Sequence, residues 1–166
     1  TMDGDTAGGL SPIAGVDKHF VNRWLRWLET EGLNGFSVWP VLSHITKQTP
    51  TAELRPPDMS QTDEADLMPY DLLEAIERIA IGQKKLPLQV YKSLHAEWSE
   101  RFSDEQLVNY IERFFTLWCR NQWKRERYAP AFHLDDKNLD PKTWCRFPIL
   151  SGGYRKELDE LRQALS

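Results

Sequence analysis

Residues 103–127, SDEQLVNYIERFFTLWCRNQWKRER, decide the fold, because their apolar side chains recur with the period of an α-helix. Ser103 and Gln106 form a capping box, in which two side chains satisfy free N–H groups at a helix start. We therefore predict one long helix from Asp104 to about Arg127 at the centre of the core. Its buried stripe is expected to comprise Leu107, Val108, Ile111, Phe114, Phe115, Trp118, Cys119 and Gln122.

Shorter amphipathic patterns flank this stretch. Asp17 is suited to cap a helix that runs to about Thr30, with Phe20, Trp24, Leu25 and Leu28 on one face. Further helices are predicted over 37–46, 72–81, 87–97 and 154–165, and a very short extended piece over 10–13. The chain as given is therefore mostly α, with too little strand pattern to predict a sheet of its own.

The composition limits the classes of protein to which this chain can belong. The chain has 166 residues, 40% of them apolar and 28% charged, which suits one soluble domain with a real core. A net charge of −4 disfavours general binding to nucleic acid or a membrane surface. Two cysteines without metal-ligand spacing favour a reducing compartment, and no apolar run is long enough to span a bilayer. We expect a cytoplasmic protein whose seven tryptophans are mostly packed.

The sequence of the segment 47–70 predicts neither a helix nor a strand. It contains four prolines together with hydroxyl, acidic and apolar side chains. A structureless loop of this length is usually a functional lid or a disordered linker. From the residues alone the two interpretations remain open, although a pure linker would not need apolar anchors.

Some polar groups in and around this segment are candidates for phosphate or metal chemistry. Thr51 and Glu53 offer a hydroxyl and a carboxylate, which suit magnesium, but turn chemistry after Pro50 explains them equally simply. Asp5 lies in an Asp-Gly-Asp stretch whose simpler interpretation is a turn. Lys18 lies in the first turn of a helix, where a cation opposes the dipole and hints at an anionic ligand.

Two other patterns have structural explanations. The basic residues from 120 to 127 could grip phosphates, but cations at a helix C-terminus also suit the macrodipole. The Ser-Gly-Gly at 151–153 is read as a helix-starting turn, because no acidic residue and hydroxyl follow it. The four histidines form no zinc pattern, and no metal ligand is assigned.

Several blocks in one order closely resemble the C-terminal part of NAD synthetase of the bacterial glutamine-dependent type. They run across essentially the whole chain. The blocks are Gly4-Asp5 through Leu10-Ser11-Pro12 to Gly15-Val16-Asp17-Lys18; Pro50-Thr51-Ala52-Glu53-Leu54; Gln61-Thr62-Asp63-Glu64 with Pro69-Tyr70-Asp71; and Phe114-Phe115 through Trp123-Lys124-Arg125.

The resemblance implies a fold and an architecture. Residues 1–166 would form the C-terminal helical part of an α/β Rossmann-like ATP-pyrophosphatase domain of the adenine nucleotide alpha hydrolase-like type. Residues 47–70 would be its mobile active-site loop. The family's Ser-Gly-Gly-x-Asp-Ser turn, its ATP-binding sheet and its glutaminase domain are absent from this chain, and Gly9 stands where related sequences have a second substrate-binding acid. The family also assembles symmetrically, so a homo-oligomer is expected.

The resemblance also implies an activity. ATP, with Mg²⁺, would adenylate deamido-NAD, and glutamine-derived ammonia would then give NAD. By position, Lys18 and Thr51 would bind ATP, and Asp5 and Lys124 would bind deamido-NAD. Glu53 and Arg125 are further candidates as neighbours of these residues, and no catalytic residue is assigned.

Two rival hypotheses remain. The chain could belong to another ATP-pyrophosphatase amidotransferase, such as a relative of GMP or asparagine synthetase, or it could be a catalytically idle helical interaction module. Convergence of Lys18, Thr51 and Lys124 on one concave face would distinguish the enzyme from the idle module. If the chain is the tail of an NAD synthetase, we expect the isolated 166 residues to be inactive.

Overall fold

A computed structural model describes most of the chain, which divides into two compact units. One unit comprises residues 1–16 and 75–166, and the other comprises residues 17–74. The described residues are 9–33, 38–49, 62–127, 129–134, 139–147 and 152–165.

The larger unit is built on three helices, as the sequence predicts. These are α5 (Pro87–Trp98), α6 (Asp104–Arg120) and α8 (Arg155–Gln163). The predicted capping box at Ser103 is present, and the predicted stripe of α6 is buried from Leu107 to Phe115. Helix α6 is therefore the core helix that the apolar period predicts.

Five aromatic side chains form a closed cluster around the C-terminal half of α6. Each ring contacts two others, with centroids 4.6 to 6.3 Å apart. Such offset and edge-to-face pairs add stability beyond the area they bury. The cluster holds Phe147 and the start of α8 against α6. Its members are Phe114, Phe115, Trp118, Phe147 and Tyr154.

The prediction that this helix continues to Arg127 is wrong. Helix α6 ends at Arg120, Asn121 leaves the helical conformation with φ −102° and ψ 14°, and α7 covers Gln122–Arg125. The side-chain amide of Gln122 donates to the carbonyl of Trp118 over 2.6 Å. A side chain thus satisfies one of the carbonyls that a helix end leaves free, which stabilises the break.

The expectation that the chain forms no sheet of its own is also wrong. Strands β1 (Ser11–Ala14) and β2 (Ala131–His133) pair in parallel, with Ser11 opposite Ala131 and Ala14 opposite His133. The extended piece predicted near residues 10–13 is confirmed. Its partner could not be recognised, because a three-residue strand is too short to display an alternating pattern.

In the smaller unit, helix α1 has the predicted bounds. It spans Lys18–Thr30, and the carboxylate of Asp17 accepts the N–H of Phe20 over 2.6 Å. However, only part of its predicted inward face is buried: Phe20 is 45% and Trp24 47% accessible, Leu25 is half-buried, and Leu28 is buried. The hydroxyl of Thr46 donates to Glu29 over 2.6 Å and ties the next helix to α1.

Two further predictions about this unit need correction. The helix predicted over 37–46 is a 3₁₀ turn, Pro40–Leu42, followed by α2, Ser43–Thr46; residue 37 lies outside the described residues. Side chains in a 3₁₀ turn eclipse at every third residue and do not line one α-helical face. Accordingly, the apolar residues Val38, Val41 and Ile45 do not share one buried face, and all three are exposed.

The predicted loop 47–70 also contains helical residues. Helix α3 covers Asp63–Asp66, and α4 begins at Tyr70 and runs to Glu77 before a π-helical segment, Arg78–Gly82. Helix α4 starts earlier than the predicted position 72, because the carbonyl of Pro69 already accepts the N–H of Leu73.

Most tryptophans are not packed, contrary to the prediction. Trp98 is buried and Trp118 half-buried. The other five are each between 37% and 47% exposed: Trp24, Trp27, Trp39, Trp123 and Trp144.

Candidate functional site

Lys18 stands exposed at the first position of α1, as predicted. Its ammonium lies 5.5 Å from the centre of the Tyr70 ring, at the start of α4. A cation over an aromatic face is attracted by the ring quadrupole, and this offsets part of the repulsion from the helix dipole. Nearby, His19 Nε2 lies 3.9 Å from the carboxylate of Glu74. The start of α1 thus presents a cation held by a ring.

Three predicted site residues lie outside the described residues: Asp5, Thr51 and Glu53. Their roles stay predictions. Of the 47–70 segment, 47–49 and 62–70 are described, and there the N–H of Tyr70 donates to Glu64 over 2.9 Å. This bond joins α3 to the start of α4, next to the ring that faces Lys18.

Lys124 lies in the short helix α7 and points to solvent. Its ammonium is 5.7 Å from the centre of the Trp123 ring, and the guanidinium of Arg127 is at the same distance from that ring. Trp123 is 37% exposed. Two cations and an accessible indole therefore form a small basic surface, which can attract an anion and cover an apolar or aromatic ring of a ligand.

Arg125, the other candidate in α7, turns inward instead. Its guanidinium lies 3.7 Å from the centre of the Trp118 ring, donates to the side-chain oxygen of Gln122, and lies 4.0 Å from the sulfur of Cys145. Gln122 is only 2% exposed. These contacts place Arg125 in the packing between α6, α7 and the segment 139–147.

Burial raises the pKa of the Cys145 thiol above its usual 9.0, and the positive charge of Arg125 opposes that rise. Cys119 and Cys145 are both free thiols. A buried thiol with a raised pKa is a poor nucleophile at neutral pH, because the thiolate is the reactive form. The structure thus gives Cys145 a packing role.

One polar pair near β2 was not predicted. His133 Nε2 lies 3.1 Å from the carboxylate of Asp140, which is 8% exposed and also accepts the N–H of Lys142 over 2.8 Å. Within the described ranges no three His, Cys, Asp or Glu side chains gather as a metal site would require. None of the helices described is both long and apolar enough to cross a membrane.

The predicted convergence of three site residues stays a prediction. Lys18 belongs to the smaller unit, Lys124 belongs to the larger one, and Thr51 is outside the described residues. Lys18 and Arg125 nevertheless each have an aromatic neighbour that the sequence analysis missed, Tyr70 and Trp118 respectively. For Trp118 a signal existed, since it precedes Arg125 by seven residues, or two helical turns. For Tyr70, 52 residues after Lys18, there was no local signal.

Comparison with known proteins supports one family. The NAD synthase family model matches residues 1–126, which include Lys18, Lys124 and Arg125. A putative glutamine-dependent NAD(+) synthetase of Schizosaccharomyces pombe is 30% identical over 142 residues, covering 84% of this chain and 20% of that protein. The glutamine-dependent NAD(+) synthetase of Xylella fastidiosa is 26% identical over 93% of this chain and 25% of its own length.

A solved structure is similar over nearly the whole chain. The crystal structure of a glutamine-dependent NAD(+) synthetase from Cytophaga hutchinsonii superposes with a TM-score of 0.74 and 46% sequence identity, over 97% of this chain and 23% of that one. The chain thus spans about a fifth to a quarter of the length of these relatives.

Proposed function

Because this chain belongs to the NAD synthase family, we propose that it is part of a glutamine-dependent NAD synthetase. In the proposed reaction, ATP activates the nicotinate carboxylate of deamido-NAD as an adenylate and releases pyrophosphate. Ammonia derived from glutamine then displaces AMP and gives NAD. The observation that carries the proposal is the exposed pair of Lys124 and Arg127 around Trp123, near the end of the matched region.

In this proposal the chain supplies the C-terminal helical part of a Rossmann-like ATP-pyrophosphatase domain. The ATP-binding sheet and the glutaminase domain come from the rest of the enzyme, which acts in the cytoplasm as a homo-oligomer. Residues 47–70 form a mobile active-site loop. Such a loop protects a reactive adenylate by excluding water until ammonia arrives.

In this proposal, Lys18 and Thr51 bind ATP. The reaction builds negative charge on the departing pyrophosphate, and a positioned ammonium stabilises charge that develops there. Lys18 suits this role because it stands exposed at the start of α1, where the helix dipole favours an anion. Thr51 contributes a hydroxyl that donates to a phosphate oxygen.

In this proposal, Lys124 and Asp5 bind deamido-NAD, and Glu53 and Arg125 are further candidates for this role. The ammonium of Lys124 meets a negative charge of the dinucleotide, and the Trp123 ring beside it excludes water from that contact. Mg²⁺ accompanies ATP in the proposed reaction. We assign no residue of this chain as its ligand.

The test uses the complete enzyme that contains this chain. Lys124→Ala is expected to raise KM for deamido-NAD about tenfold, the loss of one hydrogen bond to a charged group, and to leave KM for ATP unchanged. Lys18→Ala is expected to do the reverse. Lys92→Ala, an exposed lysine of α5, is the matched control and should change neither constant.

Two results would overturn the proposal. One is an enzyme that amidates xanthylate or aspartate in place of deamido-NAD. The other is a Lys124→Ala variant with unchanged kinetics for every substrate. Separately, the isolated 166 residues, supplied with ATP, Mg²⁺, ammonia and deamido-NAD, are expected to form no NAD.

A further inference from the structure

Consecutive residues of α7 face opposite environments. Arg125 packs on Trp118 and Lys124 points to solvent, and a helical step of about 100° per residue separates the two side chains. We propose that Arg125 is a positioning residue, which fixes the direction of Lys124 through its contact with Trp118 and does not itself bind substrate. This inference rests on the proposed function of Lys124.

The break at Asn121 makes such a device necessary. Helix α7 has four residues and does not continue the hydrogen-bond ladder of α6, so its backbone alone does not fix its orientation. Side chains supply the missing constraint. Gln122 binds the carbonyl of Trp118, and Arg125 then binds Gln122 and covers the indole ring.

The contact depends on the shape of the guanidinium as well as on its charge. Its carbon lies 3.7 Å from the ring centre, which is a stacking distance, and its Nε–H is buried without a hydrogen-bond partner among the described residues. A planar guanidinium can stack on indole while its outer N–H groups bind Gln122. A lysine keeps the charge but cannot make both contacts.

The indole of Trp118 is itself held by two other aromatic rings. Trp118 stacks on Phe114 with centroids 6.1 Å apart and meets Phe147 edge-on at 6.0 Å. The platform beneath Arg125 is therefore part of the aromatic cluster and does not turn freely. Through Arg125, that rigid cluster sets where the Lys124 ammonium stands.

The experiment measures steady-state kinetics of the complete enzyme with four variants. Arg125→Lys and Trp118→Leu are each expected to raise KM for deamido-NAD about tenfold, as much as Lys124→Ala, with KM for ATP unchanged. The double variant Arg125→Lys/Trp118→Leu should be no worse than either single one, because both remove one contact. Arg155→Ala, an exposed arginine of α8, is the matched control.

The outcomes separate this inference from the proposed function. If Lys124→Ala raises KM and Arg125→Lys does not, the arginine acts by charge alone, and the positioning role is refuted while the function stands. Full additivity in the double variant also refutes it. If Lys124→Ala has no effect, both proposals fail. Should Trp118→Leu not fold, Arg125→Lys alone decides, because it leaves the aromatic cluster intact.

Discussion

Ser103 and Gln106 close the start of the core helix with two reciprocal hydrogen bonds. The N–H of Gln106 donates to the hydroxyl of Ser103 over 3.2 Å, and the N–H of Ser103 donates to the amide oxygen of Gln106 over 2.9 Å. Ser103→Ala removes the first of these acceptors. We expect the free energy of unfolding to fall by about 1 kcal/mol, measured by urea unfolding followed by circular dichroism.

Ser99→Ala is the matched control for this capping prediction. Ser99 is also exposed and also borders a helix. Its backbone N–H donates to the carbonyl of His95, and this hydrogen bond remains in the alanine variant. Its effect should stay within about 0.5 kcal/mol. Equal losses in the two variants would show that the hydroxyl of Ser103 does not cap α6.

Leu161 and Leu165 test where the core ends along the last helical stretch. Leu161 is completely buried, whereas Leu165 is 39% exposed. Leu161→Ala should lower the free energy of unfolding by about 2–5 kcal/mol, because it removes buried methyl groups and leaves a cavity. Leu165→Ala should cost less than about 1 kcal/mol, since its side chain is already partly in water. Similar unfolding midpoints for the two variants would contradict this burial.

The helices of the larger unit could be predicted because their signals are local. A capping residue, a 3.6-residue apolar period and a proline at position 87 are each read within a few residues. The pairing of β1 with β2 could not be predicted, since Ser11 and Ala131 are 120 positions apart and neither strand is long enough to show a pattern. The break in the helix at Asn121 could not be predicted for another reason. The predicted buried stripe continues past this residue to Gln122, which is buried.

The candidate site was predictable only in part. The resemblance gave Lys18 and Lys124 their expected roles. The residue pattern placed Lys18 at a helix start and Lys124 in a basic segment, and both residues are exposed there. It could not distinguish Lys124 from its neighbour Arg125, because adjacent basic residues look alike in sequence. Their different environments arise from helix geometry and from Trp118, two turns earlier.

Asp140 is expected to stabilise the contact between β2 and the segment 139–147. Its carboxylate faces His133 at 3.1 Å and accepts the N–H of Lys142 at 2.8 Å, and it is 8% exposed. Asp140→Ala leaves these partners without that acceptor, so the free energy of unfolding should fall by about 1–3 kcal/mol. Asp140→Asn keeps an oxygen for the N–H of Lys142 and should lose less. An equal loss in the alanine and asparagine variants, measured by urea unfolding, would contradict this role.

Tyr154 predicts how stability changes at alkaline pH. Burial raises the pKa of its phenol above the usual 10.0, and nearby Cys119 and Glu157 raise it further. The folded chain therefore holds the proton at a pH where the unfolded chain has lost it. This contribution to stability is complete below about pH 10 and is lost as the pH rises through the higher folded pKa.

Tyr154→Phe isolates that contribution, because the ring stays in the aromatic cluster and the titrating hydroxyl is removed. The free energy of unfolding, measured in urea between about pH 9 and about pH 11, should fall less steeply with pH in this variant than in the parent chain. Tyr110→Phe removes a phenol from α6 outside the aromatic cluster and controls for loss of a hydroxyl. If Tyr154→Phe leaves the pH slope unchanged, the phenol of Tyr154 titrates alike in the folded and unfolded chain. In that case burial in the cluster does not raise its pKa.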